Sequence, residues 1–349
     1  MNCAPGCRTR RLPAIASHVL AAALLALASA AALAVAEDAI SFDDSPRDTP
    51  LDYPDWFKEP FLDLPADHAK AVAAGKDLVV YFGQLRCAYC HQLMDVNFGA
   101  PDIEQYTREH FDIVPIDIWG VAEVTDIQGE VLTERDFALR EETNFTPSLV
   151  FYDETGAEAL RLRGYYPPYQ FRAALEYVAD DHYKRETFRD YLARGENRMV
   201  FDAGDLNDQD FFEPPPHNLD RSRLPSERPL VVFFEQGDCH ACDVLHGEAL
   251  QELLLQREFE QFDSVQLDIW SDAPVVTPSG ERTTAREWAK QLGLFYTPSL
   301  LFFDEHGREL VRVDSVVGFY RLRNVMNYVG SKAYLDEPSY QRWRLSRPF

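Results

Sequence analysis

Short, unbroken apolar runs punctuate the chain, and the same succession of patterns follows two of them. Leu78-Val79-Val80-Tyr81-Phe82 is rich in β-branched and aromatic residues and predicts a buried central strand. A short polar loop leads into a helix that opens at Cys87-Ala88-Tyr89-Cys90 and runs to about Asn97. Between 111 and 118 Phe, Ile, Val and Ile alternate as a second strand. After a turn-rich insertion containing Gly129, Thr133 is placed to cap a helix whose Glu134 and Asp136 suit its first turn. Leu149-Val150-Phe151-Tyr152 is a third strand, Asp153-Glu154-Thr155-Gly156 a hairpin turn, and Arg161–Gly164 the returning strand. An amphipathic helix then spans about Tyr169 to Tyr183. The order strand, helix, strand, helix, strand, strand, helix predicts the α/β class, a mixed β-sheet with flanking helices.

The whole succession recurs. Leu230-Val231-Val232-Phe233-Phe234 stands 152 residues after the first strand, and Cys239-His240-Ala241-Cys242 stands at the same offset from Cys87–Cys90. Phe262-Asp263 and Asp268-Ile269-Trp270 repeat Phe111-Asp112 and Asp117-Ile118-Trp119 at an offset of 151. Thr297-Pro298-Ser299-Leu300 repeats Thr146-Pro147-Ser148-Leu149 at that offset too. The flanks match as well: Phe57-Lys58-Glu59-Pro60 with Phe211-Phe212-Glu213-Pro214, and Phe188 and Tyr191 with Tyr340 and Trp343. Order and spacing persist across nearly the whole chain, which marks a duplicated domain rather than a short-period solenoid. The expected organisation is a first domain at 37–195 with an N-terminal extension, a linker at 196–228 containing Pro214-Pro215-Pro216, and a second domain at 229–349.

Charge and the N-terminus narrow the setting. Arg8, Arg10 and Arg11 precede an apolar stretch from about Val19 to Val35 that ends in Ala34-Val35-Ala36, followed by Glu37 and Asp38. That layout predicts a cleaved secretory signal peptide at 1–36, with an uncleaved membrane anchor as the alternative. Cleavage would remove three Arg and no acid, moving the formal charge from −24 to −27. So acidic a surface argues against nucleic acid and against docking to anionic lipid. No other stretch is apolar enough to span a membrane, and the expected location is periplasmic or otherwise secreted.

Cleavage would also remove Cys3 and Cys7, leaving four of the six cysteines, all in two C-x-x-C pairs. A secreted protein that uses cysteine for stapling would spread its pairs across loops. With a strand feeding C-x-x-C at a helix start, and Thr-Pro opening a later strand, the chain resembles the thioredoxin superfamily. The C-A-Y-C-H pair, the D-I-W strand end and T-P-S-L make it most similar to periplasmic SoxW-like thioredoxins. The C-x-A-C of the second copy is similar to the C-terminal domain of DsbD. The resemblance implies two tandem thioredoxin-like domains and thiol–disulfide exchange. It also implies that Pro147 and Pro298 are cis and that the backbone of Thr146 and Thr297 pairs with a substrate strand.

Elementary chemistry supports the exchange reaction independently. Cysteines at i and i+3 share a helix face at disulfide range. The first of each pair meets unsatisfied N–H groups and the positive end of the helix dipole, which favour its thiolate. Cys87 and Cys239 are therefore the expected nucleophiles, and Cys90 and Cys242 the resolving thiols. Arg86, His91, Asp238 and His240 flank the pairs and are candidates for tuning thiol acidity. The pairs depart from the common thioredoxin pattern: neither contains Gly-Pro, and Tyr81 and Phe233 stand where many thioredoxins bury an Asp.

Other readings stay open. Cys87-Ala88-Tyr89-Cys90-His91 is literally the c-type haem attachment motif, although the second copy has Asp243 in place of the His. A zinc site shared by both pairs would need a particular domain docking. A disulfide isomerase, or a redox-gated binding or chaperone protein, is the second functional reading. The leading expectation is a secreted thiol–disulfide oxidoreductase, a reductase or electron relay, that needs no cofactor or metal. Its expected partners are disulfide-containing protein substrates and a membrane thiol–disulfide electron donor. Trp119 and Trp270 read as packing residues, Tyr165, Tyr166 and Tyr169 as packing of the hairpin-to-helix junction, and Arg342, Arg344 and Arg347 as a solvated helix end.

Overall fold

β1 (Asp77–Gly83) is buried from Leu78 onward because its side chains feed two cores at once. Val79 and Tyr81 point into one, and Leu78, Val80 and Phe82 into the other, the period-two alternation of a strand covered on both faces. The computed structural model describes residues 40–58, 62–195 and 206–347, and the signal peptide expected at 1–36 lies outside them. β1 pairs parallel with β2 (Phe111–Asp117) and antiparallel with β5 (Ser148–Tyr152), which pairs with β6 (Glu158–Arg163). The sheet order is β2-β1-β5-β6. One face is covered by α1 (Leu64–Ala73) and α4 (Glu134–Arg140), and the other by α2 (Ala88–Gln92), α3 (Pro101–His110) and α5 (Pro168–Ala179). Thr133 caps α4 as expected, its hydroxyl accepting the Asp136 N–H at 3.1 Å.

Three features differ from the expectation. The helix after Cys87 is α-helical only to Gln92 and continues as a π turn over Leu93–Asn97. There the buried Asn97 amide donates to the Tyr166 carbonyl at 3.0 Å, and Pro101 restarts the chain as α3. The insertion after β2 is a small hairpin, β3 (Glu123–Thr125) with β4 (Val131–Thr133). The last helix ends at Ala179, short of Tyr183, and α6 (Phe188–Gly195) follows.

The second repeat rebuilds this plan. β8 (Leu230–Glu235), β9 (Asp263–Asp268), β12 (Ser299–Phe303) and β13 (Glu309–Val313) form a sheet of order β13-β12-β8-β9. Around it lie α7 (His240–Gly247), α8 (Leu253–Phe259), α9 (Ala285–Gln291), α10 (Phe319–Gly330) and α11 (Tyr340–Leu345). β10 (Pro274–Val276) and β11 (Arg282–Thr284) pair as the small hairpin, and β7 (His217–Asn218) adds to it in parallel. The matched flanks do the same job in each copy: the Lys58 N–H donates to Ile113 O, and the Glu213 N–H to Ser264 O. Much of the stretch 206–228 thus lies against the second sheet, where the buried Arg221 also pairs with Asp263 at 2.7 Å.

The repeats meet through equivalent segments. Val316, the counterpart of Tyr165 at an offset of 151, donates its N–H to the Tyr165 carbonyl at 3.1 Å. Ser315, the counterpart of Gly164, sits where a Cβ on Gly164 would collide with its hydroxyl, and Gly164 has a φ of 109°. Each segment touches its own copy, the property of a self-complementary two-fold contact, here within one chain. Tyr166 stacks on Phe295 and meets Tyr296 edge-on, while Phe145 meets Tyr340. The cores therefore run together, with Tyr296 and Val316 in the first repeat's and Phe145 in the second's.

At the start of β1 an acid works against the fold. Burial, followed by the nearby Glu154, Asp181 and Asp153, pushes Asp77 up to about 6. A carboxyl raised above its unfolded value costs stability when it ionises, so this contribution is lost as pH rises from about 4 through 6. Asp77→Asn is expected to be the more stable protein at pH 7 by something on the order of 1 kcal/mol, because solvent screens a half-buried group. Urea melts at pH 7 and pH 4 check it: the gap should close at the lower pH, and a destabilised variant at pH 7 refutes it.

Candidate functional site

Each C-x-x-C pair sits where a central strand hands over to a helix. Arg86 at φ 63° and Asp238 at φ 48° turn the chain sharply before the first cysteine. Cys87 and Cys239 occupy the N-cap positions of α2 and α7, and their sulfurs accept the N–H of Cys90 and Cys242 at 3.0 and 3.1 Å. Disulfides join Cys87 to Cys90 and Cys239 to Cys242, each across a Cα separation of 5.1 Å. Cys87 and Cys239 each keep 6% of their surface exposed, whereas Cys90 keeps none and Cys242 1%, so an incoming sulfur reaches the first cysteine. The N–H groups at each helix start would hold a thiolate formed there.

Facing the pairs, the Thr146-Pro147 and Thr297-Pro298 peptide bonds are cis. In the first repeat a chain of donors converges on the sulfur. Trp119 Nε1 donates to Gln84 Oε1 at 2.6 Å, Gln84 Nε2 to Thr146 Oγ1 at 2.8 Å, and Thr146 Oγ1 to Cys87 Sγ at 3.2 Å. The second repeat keeps Trp270 on Gln236 at 2.9 Å, but Thr297 Oγ1 lies 3.5 Å from Cys239 Sγ. Both tryptophans pack against their cores, as read from the sequence, and both also hold a glutamine at the site. Among the tuning candidates, Arg86 pairs with Asp48 at 2.8 Å, and His91 Nε2 lies 3.3 Å from the Thr49 carbonyl. Asp238 and His240 line the groove beside Cys239.

The other repeat walls each groove, which the sequence did not disclose. Beside Cys87 stands Arg321 of α10. Its guanidinium lies 3.4 Å above the Tyr89 ring, and Nη2 donates to the Thr146 carbonyl at 2.9 Å. Asp44, from the N-terminal extension, accepts the Tyr89 hydroxyl at 2.8 Å and the N–H groups of Tyr320 and Arg321 at 2.9 Å each, capping the start of α10. Beside Cys239 stand Tyr169, Gln170 and Arg189 of the first repeat. Tyr169, expected to pack a junction, is 60% exposed in that groove. Arg344 and Arg347, expected at a solvated helix end, line the groove of Cys87.

Beneath the second site lies a buried polar cluster without a counterpart in the first. Glu235, fully buried at the end of β8, meets His246 Nε2 at 2.9 Å and accepts from Gln266 Nε2 at 2.7 Å. His246 lies one turn beyond Cys242 on α7. Among the described residues, no group of three or more His, Cys, Asp or Glu is arranged to hold a metal ion, and no helix is long and apolar enough to cross a membrane.

The thioredoxin-like domain model matches the chain twice, at residues 64–179 and 216–330. No curated protein matches it. Similar solved structures include a thioredoxin-fold protein from Helicobacter pylori, 25% identical over 35% of this chain and 80% of that one, with a TM-score of 0.31. A thioredoxin from Thermus thermophilus is 26% identical over 33% of this chain and 82% of its own, with a TM-score of 0.26. The oxidised C-terminal domain of DsbD from Neisseria meningitidis is 16% identical over 33% and 92%, with a TM-score of 0.25. The chain belongs to the thioredoxin-like domain family, with thiol–disulfide oxidoreductase chemistry at a C-x-x-C pair in each of its two domains.

Proposed function

We propose that the protein works outside the cytoplasm, in the periplasm or an equivalent secreted setting, as a reductase or electron relay with two redox pairs. The reading is carried by the placement of each pair, with an outer sulfur at a helix N-terminus opposite a cis-proline loop. In the forward reaction the outer thiolate attacks a protein disulfide and one substrate thiol leaves. The inner thiol then attacks the mixed disulfide and releases the second, so two electrons and two protons pass to the substrate. A reducing role in an oxidising compartment requires a membrane thiol–disulfide donor to restore the dithiol. The signal peptide expected at 1–36 supports this setting. Reduction potentials of the two pairs, measured in the full chain, test the direction. Values near those of thioredoxins support a reductase, and values near that of a strong oxidant such as DsbA refute it.

The two outer thiols are expected to differ in acidity, with Cys87 lower than Cys239 by about one pKa unit or more. Cys87 has the donor chain ending on Thr146 and the cations Arg86 and Arg321 nearby. Cys239 has Asp238 before it and Asp243 one turn on, with a longer Thr297 contact. Thiolate absorbance titrations on full chains with the other pair replaced would check this. Gln84→Leu should raise the Cys87 value by interrupting the chain of donors. Equal values for the two thiols would show that flanking charge and the donor chain do not set the scale.

A further inference from the structure

The internal two-fold supplies its own control, because equivalent grooves beside the two cysteine pairs should carry similar side chains unless function separates them. They do not. The groove beside Cys87, of about 340 Å³, is lined by Arg86, Arg321, Arg323, Arg344 and Arg347, with Asp44 its one acid. Asp44 is spent on the Tyr89 hydroxyl and the two N–H groups of α10. The groove beside Cys239, of about 250 Å³, is lined by one arginine, Arg189, and one acid, Asp238. Five arginines from both repeats thus line one groove of a chain whose formal charge is −24, with Arg86 paired to Asp48 at 2.8 Å and Arg321 bonded to Ser315, Val316 and Thr146. A helix C-terminus alone would account for Arg344 but not for Arg86 and Arg323, which come from other elements. A second difference concerns the Thr146 carbonyl, which an extended polypeptide would need for strand pairing. Arg321 already donates to it and competes for its remaining lone pair, whereas Gln170 stands at the position equivalent to Arg321 in the second groove.

Resting on the oxidoreductase reading, we propose that the Cys87–Cys90 site is built for a small disulfide bearing carboxylates, not for an extended protein strand. The groove volume falls at the small-ligand end of binding sites, roughly 300–1,000 Å³. Arginine forks fit carboxylates, and the local positive field raises the encounter rate of an anionic disulfide. In the reaction the Cys87 thiolate attacks one substrate sulfur, and the departing carboxylate-bearing thiolate takes a proton. Cys90 then attacks Cys87 Sγ, forming the protein disulfide and releasing the second thiol. The substrate gains two electrons and two protons, and a dithiol donor restores the pair.

The test uses the full chain with Cys239 and Cys242 replaced by Ala, reduced with dithiothreitol and desalted. It is mixed with glutathione disulfide, an anion, or cystamine, a dication, and each rate is divided by that of dithiothreitol with the same disulfide. The normalised preference for glutathione disulfide should be about tenfold or more at low salt. It should collapse toward unity in Arg323→Glu/Arg347→Glu, whose exposed side chains can change without disturbing the core. The mirror chain, with Cys87 and Cys90 replaced, should show no such preference. A preference that is absent, or unchanged by the double reversal, overturns the proposal. So does faster groove-dependent reduction of an acidic protein disulfide than of glutathione disulfide, which would assign the groove to a protein partner. Failure of the reduced pair to react with either small disulfide would instead remove the oxidoreductase reading on which the proposal rests.

Discussion

Replacing Cys87 and Cys239 together by Ser is expected to abolish disulfide reduction, leaving only the rate of the reductant itself, while either replacement alone leaves a substantial fraction. Each outer sulfur has its own helix N-terminus, its own inner partner and its own cis-proline loop. Neither site draws a reacting group from the other, since what crosses between repeats is the groove wall: Arg321 at one site, Tyr169 and Gln170 at the other. Sites that share no reacting atoms turn over a small disulfide in parallel, so the fractions of turnover kept by the two single replacements should sum to about one. The inner thiols cannot rescue the double variant, because Cys90 and Cys242 have almost no exposed surface. Insulin reduction and glutathione disulfide turnover check the two substrate sizes. Loss of all turnover in Cys239→Ser alone would mean that electrons pass through the pairs in series.

What the sequence disclosed was whatever is written locally. The central strands, the cysteine pairs, the cap at Thr133 and the hairpin turns each rest on a handful of neighbouring residues. The duplication was legible because the same local words recur in the same order. The interface was not. Asp44 caps a helix 276 residues away, and Arg321 reaches Thr146 across 175. Periodicity marks Arg321 only as a polar residue in a helix, and nothing nearby hints that its carbonyl acceptor belongs to the other repeat. Trp119 and Trp270 read correctly as packing residues, but their indole N–H groups bond glutamines 35 and 34 residues earlier, a pairing visible only once the strands are side by side. α3 was missed for a different reason: its polar face dominates the composition, and just two of its residues, Ile103 and Thr107, are buried.

The second large effect is expected at Glu235. Glu235→Ala should lower the unfolding free energy by about 2–4 kcal/mol, because it leaves the donors that the carboxylate satisfies without that acceptor. Those donors are His246 Nε2 and the Gln266 amide, and Gln209 Nε2 in turn lies 3.1 Å from His246 Nδ1. A neutral imidazole with its proton on Nε2 satisfies both contacts of the ring. The first repeat runs the same fold without the cluster: Gly83, Met94 and Pro115 stand at the equivalent positions, and the Tyr81 ring fills the space a Cβ on Gly83 would need. The sheet and helix therefore do not require a buried acid here, and removing both partners should cost far less than removing one. Glu235→Leu with His246→Met is expected to recover most of the stability lost by Glu235→Ala, a positive coupling measurable by urea denaturation as a double-mutant cycle. A loss below about 1 kcal/mol for Glu235→Ala would mean that water replaces the carboxylate, which requires a wetter space beneath α7 than its complete burial describes.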